Sequence, residues 1–91
     1  MDFDWDGRKA AHNLAKHSVP FTEAMTVFYD PLSISFGDPD HSMDEDRYIT
    51  IGMSDQGRLL IVSHADQDDT IRIISARLTT PRERKIYESG S

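Results

Sequence analysis

The sequence predicts an α+β fold, and three observations carry that prediction. The spacing of apolar residues changes from a helical to a two-residue repeat near residue 32. Helix-start signals stand at both ends of the chain, Asp6 ahead of Gly7-Arg8-Lys9 and Thr80-Pro81-Arg82-Glu83. Between them, short apolar runs are separated by Gly- and Asp-containing turns. The predicted order is β-α-α-β-β-β-β-α, with helices packed on a mostly antiparallel sheet.

Phe3 and Trp5 alternate with Asp2, Asp4 and Asp6, which predicts a short edge strand. Asp6 then serves as an N-cap, and Ala10, Ala11 and Leu14 give the first helix a modest apolar face. Lys16 and His17 suit its last turn, where cations oppose the helix dipole. Pro20 opens a second helix, with Phe21, Ala24, Met25 and Phe28 as its buried stripe, and Asp30-Pro31 stops it. Leu32, Ile34 and Phe36 alternate with serines up to Gly37 as a strand. Residues 48–53 and 59–63 form a hairpin whose loop places Gly57 where a positive φ is needed. An acidic loop, 66–69, leads into a strand over 71–78, and Thr80 with Glu83 makes a capping box for a last helix reaching about Glu88.

Ninety-one residues suffice for one domain, taken as 1–91, with a core only just large enough to fold unaided. The absence of cysteine excludes disulfides and thiolate metal sites. No apolar run approaches the roughly 20 residues of a membrane span, and Met1-Asp2-Phe3-Asp4 is unlike a basic signal-peptide start, so a cytoplasmic protein is expected.

Charge is distributed unevenly. Residues 1–46 carry Arg8, Lys9 and Lys16 against ten acids, whereas residues 47–91 carry seven basic and six acidic groups, within a net charge of −6. Such a chain does not attract nucleic acid in bulk, because phosphate affinity comes from clustered Lys and Arg. Any RNA site must therefore be local. The stretch Arg77, Arg82, Arg84 and Lys85, opposed by Glu83 alone, satisfies that condition.

Lys9, Asn13 and Lys16 recur at i, i+4 and i+7 and project from one side of the first helix, with His17 at its end. A solvated helix face explains such a pattern without function. The chemistry of RNA cleavage favours more: a base for the 2′-OH, cations for the phosphorane and an acid for the leaving oxygen. His17 is the histidine set beside a fixed cation; His12 is mid-helix and exposed, His41 lies in an acidic loop and His64 ends a strand. Strict alternation puts Arg72 and Arg77 on opposite faces of their strand, with Ile71, Ile73 and Ser75 on the side of Arg77. Arg77 as an intramolecular salt-bridge partner is the plain alternative to Arg77 as an anion ligand. The alternate acids Asp38, Asp40, Asp44 and Asp46 superficially suggest a calcium loop, but Met43 stands where glycine is needed and Ile49 where the closing Glu belongs. No metal site and no cofactor are expected.

Taken together, residues 3–17, Val19-Pro20-Phe21-Thr22-Glu23-Ala24, Val27–Pro31, Arg47–Gly52, Arg72–Arg77, Glu83-Arg84 and Tyr87 resemble the BrnT family nearly end to end. The resemblance implies a RelE-like fold and a ribonuclease toxin of a type II toxin–antitoxin pair. It also implies neutralisation by a BrnA-like antitoxin bearing a ribbon-helix-helix part, with operator DNA reached only through that antitoxin and no membrane partner. On this reading RNA is cleaved without metal by 2′-OH attack on the adjacent phosphate. Lys16, Arg47 and Arg77 hold the scissile group, and His17 transfers a proton. Lys9, Asn13, Arg82, Arg84 and Tyr87 contact the RNA, Tyr87 as a stacking ring. The rival is a non-catalytic module that caps the antitoxin within an autorepressor complex.

Overall fold

The computed structural model describes residues 1–41 and 46–90. Strand β1 (Asp2–Trp5) leads into helix α1 (Gly7–His17), then a short α2 (Phe21–Ala24) that tightens into a 3-10 turn over Met25–Tyr29. Strand β2 (Ile34–Gly37) and a 3-10 turn (Pro39–His41) precede β3 (Arg47–Met53), β4 (Leu59–Gln67), β5 (Thr70–Leu78) and α3 (Pro81–Ser89). The sheet has five strands in the order β1-β5-β4-β3-β2. All pairs are antiparallel except β1 with β5. The predicted α+β class and element order therefore match the structure.

The helices α1 and α2 cover one face of the sheet. There Val19, Phe21, Ala24, Val27, Leu60, Val62, Ile73 and Ala76 form the main buried cluster, with Phe3, Trp5 and Phe28 packed against it. Complete burial of a side chain such as Leu60 or Phe21 stabilises the fold by about 1.5–3 kcal/mol. On the opposite face α3 shields Ile51, Leu59 and Ile61 through Tyr87. The second helix departs from expectation. Pro20 is its N-cap rather than its first residue, and the chain beyond Ala24 is 3-10. A three-residue turn aligns i with i+3, so Phe21, Ala24 and Val27 become the buried row. Gly52 permits this approach, since a Cβ there would stand 3.0 Å from the Val27 carbonyl oxygen.

Two further expectations change. Strands β4 and β5 extend to a two-residue turn at Asp68-Asp69, with Asp68 at φ 55°, so the second acidic loop is shorter than predicted. The strand reaches through polar residues because His64 has partners for both ring nitrogens, Thr50 Oγ1 at 2.7 Å and Asp66 Oδ1 at 2.6 Å. The register also shifts: Ser63 pairs with Ser75 but His64 with Ile73, leaving Ile74 as an extra residue in β5. That bulge reverses the inference from strict alternation. Arg72 opposite Ala65, Ser75 opposite Ser63 and Arg77 opposite Ile61 all lie on the α3 face.

Candidate nucleic-acid interface

Helix α1 begins where Asp6 accepts the backbone N–H groups of Arg8 at 2.7 Å and Lys9 at 3.3 Å. Those two hydrogen bonds, that from Arg8 foremost, hold the Asp6 carboxyl below its usual pKa. The helix ends at Ser18, which adopts the left-handed conformation at φ 59°. Leu14, expected on the apolar face, is 51% exposed, whereas Asn13 is buried.

The reason is the edge of β5. Strand β1 pairs with it only as far as Ile73, so the outer backbone groups beyond that point need other partners. Asn13 supplies them. Its Nδ2 donates to the Ala76 carbonyl at 2.8 Å and to the Val19 carbonyl at 2.9 Å. Its Oδ1 accepts from the Ala76 N–H at 3.0 Å. The amide is thereby committed internally, so Asn13 fastens the helix to the sheet rather than reaching out to RNA.

Anchored in this way, α1 and the β5 edge enclose an open cavity of about 430 Å³ lined by Arg8, Lys9, His12, Asn13, Lys16, His17, Ile74 and Ser75. The lining follows two adjacent rows of the helix, Arg8-His12-Lys16 and Lys9-Asn13-His17, each spaced i, i+4, i+8. Among the described residues, the side chains of Arg8, Lys9, His12, Lys16 and His17 have no hydrogen-bond or ion-pair partner. Most arginines elsewhere do have one. Arg58 is bound by Glu23, Arg72 by Asp4 and Arg84 by Glu88. An acidic chain has thus left three fixed cations and two imidazoles without a contacting acid along one groove, with Lys9 alone near enough to sense the Asp6 charge. Such a groove has the charge to accommodate an anion and sets two imidazoles beside it.

Of the residues singled out from sequence, Lys9, Asn13, Lys16 and His17 line this cavity, Asn13 with its amide committed to the sheet, and the others do not. Arg77 stands on the α3 face and is bound bidentately by Glu83, both contacts at 2.9 Å. This pairing raises the Arg77 pKa further and lowers that of Glu83, whose carboxylate also closes the Thr80 capping box. The plain salt-bridge reading of Arg77 thus has its partner in Glu83, and Arg77 does not line the α1 cavity. Arg47 opens β3 in the row of Ala65 and Arg72, away from the cavity. Arg82 and Arg84 are exposed on α3 and do not line the cavity. Tyr87 is not a free stacking ring. Its hydroxyl donates to Asp30 Oδ2 at 2.6 Å, and this bond to a carboxylate pushes its pKa up to about 12.

Arg8 and His12 were absent from the sequence-based set. The signal for both was the doubled i, i+4, i+8 row, which is visible in the sequence once Asn13 is known to face the sheet. Among the described residues, no group of three or more His, Cys, Asp or Glu side chains converges that could hold a metal ion. No described helix is long and apolar enough to cross a membrane.

A small α+β protein with a cationic groove beside the β5 edge has the charge arrangement suited to an anionic ligand. More narrowly, the chain belongs to the family described as ribonuclease toxin, BrnT, of type II toxin-antitoxin system, whose model matches residues 5–83. Among solved structures it is similar in fold to the ribonuclease toxin BrnT of Brucella abortus. The TM-score is 0.69 and the identity 22%, over 88% of this chain and 97% of that one. No curated protein matches the chain.

Proposed function

We propose that this BrnT-family toxin is a metal-independent endoribonuclease whose reaction centre is the α1 groove. The unpaired set Arg8, Lys9, His12, Lys16 and His17 is the observation that carries this reading. In the reaction, one imidazole accepts the proton of a 2′-OH as that oxygen attacks the adjacent phosphorus. Arg8, Lys9 and Lys16 stabilise the additional negative charge of the phosphorane. The other imidazole protonates the departing 5′-oxygen, leaving a 2′,3′-cyclic phosphate and a 5′-OH terminus. The fixed cations take the charge-neutralising part that a metal ion plays in other nucleases. Asn13 is a positioning residue, since it holds both helical rows against the β5 edge at Ala76.

The partner proposed with this activity is a BrnA-like ribbon-helix-helix antitoxin, with operator DNA bound through it. The family description names a toxin–antitoxin system, and an acidic toxin is complementary to a basic antitoxin segment. The acidic stretches available for that contact are residues 38–46, which fall partly outside the described residues, or 66–69.

The test is cleavage of a defined RNA in EDTA by the purified chain, with analysis of the product termini. Cyclic phosphate ends formed at an undiminished rate support the proposal. A dependence on added magnesium contradicts it. Growth arrest on expression, relieved by the antitoxin, separates a toxic nuclease from a module that only caps its partner.

A further inference from the structure

The α3 face of the sheet is only partly covered. Helix α3 has no buried residue and shields Ile51, Leu59 and Ile61. The neighbouring cross-strand rows lie beyond these residues. One runs Asp4, Arg72, Ala65, Arg47; the next runs Ser75, Ser63, Ile49, Phe36. We propose that these two rows form a binding track for single-stranded RNA that continues from the α1 groove, with Arg47 and Arg72 contacting phosphates and Phe36 stacking on a base. The inference rests on the ribonuclease reading and assigns that site its substrate class.

Continuity is the first argument. Ser75 lines the α1 groove and also begins the middle row, so a chain leaving the groove passes directly onto the sheet. From β5 to β2 the track crosses three interstrand spacings, about 14 Å, room for a few nucleotides.

Charge is the second argument. Arg47 has no partner among the described residues. Arg72 is 51% exposed, and its carboxylate Asp4, 3.2 Å away, is 53% exposed. An exposed pair of this kind contributes little and exchanges readily for a phosphate. The far end of the middle row is different in character. Phe36, 37% exposed on the outermost strand, follows Ile49 and presents an aromatic ring beside the cationic row. Cations alongside an aromatic platform recognise unpaired bases, because a duplex keeps its base faces stacked internally.

The test uses the full chain and non-cleavable 2′-O-methyl oligonucleotides, a single-stranded hexanucleotide, its duplex and a dinucleotide, followed by fluorescence anisotropy. The hexanucleotide is expected to bind more tightly than the other two. Phe36→Ala should weaken its binding about 5- to 160-fold, the loss carried by one stacked base, while Phe36→Trp retains it. Arg47→Gln should flatten the logarithmic salt dependence by about 0.7, one single-strand phosphate contact. Melting curves on each variant identify any loss of fold. Equal binding of hexanucleotide and dinucleotide, or of hexanucleotide and duplex, overturns the track. So does unchanged RNA binding by both variants accompanied by weaker antitoxin binding, which assigns the face to the protein partner. Cleavage of a dinucleotide substrate, assayed in parallel, separates failure of the track from failure of the ribonuclease reading.

Discussion

Asn13 pairs with Ala76 as a neighbouring strand residue would, accepting its N–H at 3.0 Å and donating to its carbonyl at 2.8 Å. One side chain thus extends the sheet edge where β1 stops and sets the position of the cationic rows on α1.

Asn13→Ala should be severely destabilising. It leaves the Ala76 N–H and carbonyl, and one acceptor site on Val19, without their partners in a region 3% exposed at Asn13. Each unsatisfied buried group costs about 1–3 kcal/mol. A total of about 3 kcal/mol corresponds to a fall of roughly 12–24 °C in thermal midpoint for a domain of this size. Calorimetry checks this. A change of a degree or two means that the amide is dispensable.

The salt bridge between Arg77 and Glu83 should behave as a strut. Arg77 is 42% exposed, so solvent screening limits its contribution to about 1 kcal/mol. Arg77→Ala and Glu83→Ala should each lower the thermal midpoint, and a double-mutant cycle should show coupling between them. Cleavage per folded molecule should stay unchanged. Loss of activity at full stability would return Arg77 to the reaction centre.

His64 predicts a pH dependence. It is 2% exposed, and burial lowers its pKa more than Asp66 raises it. The folded protein therefore resists protonation of a group that the unfolded chain protonates below about 6.5. Because the unfolded state binds the additional proton, the stabilisation is full above that value and declines as pH falls towards the lowered folded pKa. Urea denaturation across pH 5–7.5 should show this decline in the native chain. In His64→Gln it should be reduced; an equal slope in both excludes His64 as the source.

Lys16→Ala should retain the fold, since Lys16 is exposed and has no partner among the described residues. Cleavage should fall by about 10²–10³, the usual loss when one donor to transition-state charge is removed. Lys16→Arg should recover part of it. Unimpaired cleavage by the Ala variant would remove Lys16 from the site.

Much of the architecture was legible in the sequence because local signals and tertiary packing agreed. The Asp6 cap, the Thr80–Glu83 capping box and the change of period near residue 32 each match the structure. The strand bulge at Ile74 was not legible, because an inserted residue leaves no signature in apolar alternation, and it moved Arg72 onto the face of Arg77. The cationic groove was half legible. Helical spacing identified Lys9, Lys16 and His17, but whether a side chain is free or engaged depends on tertiary partners such as Glu83 for Arg77 and Asp30 for Tyr87. Tyr87 and Arg77, conspicuous in sequence, were engaged by those carboxylates.

The central claim is that the α1 groove performs the chemistry with its two imidazoles. The direct measurement is the pH–rate profile of RNA cleavage in EDTA for the native chain and for His12→Ala and His17→Ala, with thermal midpoints recorded on the same samples. The account predicts a bell-shaped profile for the native chain and the loss of a different limb in each variant, with midpoints nearly unchanged. Native-like rates and profiles in both variants would contradict it.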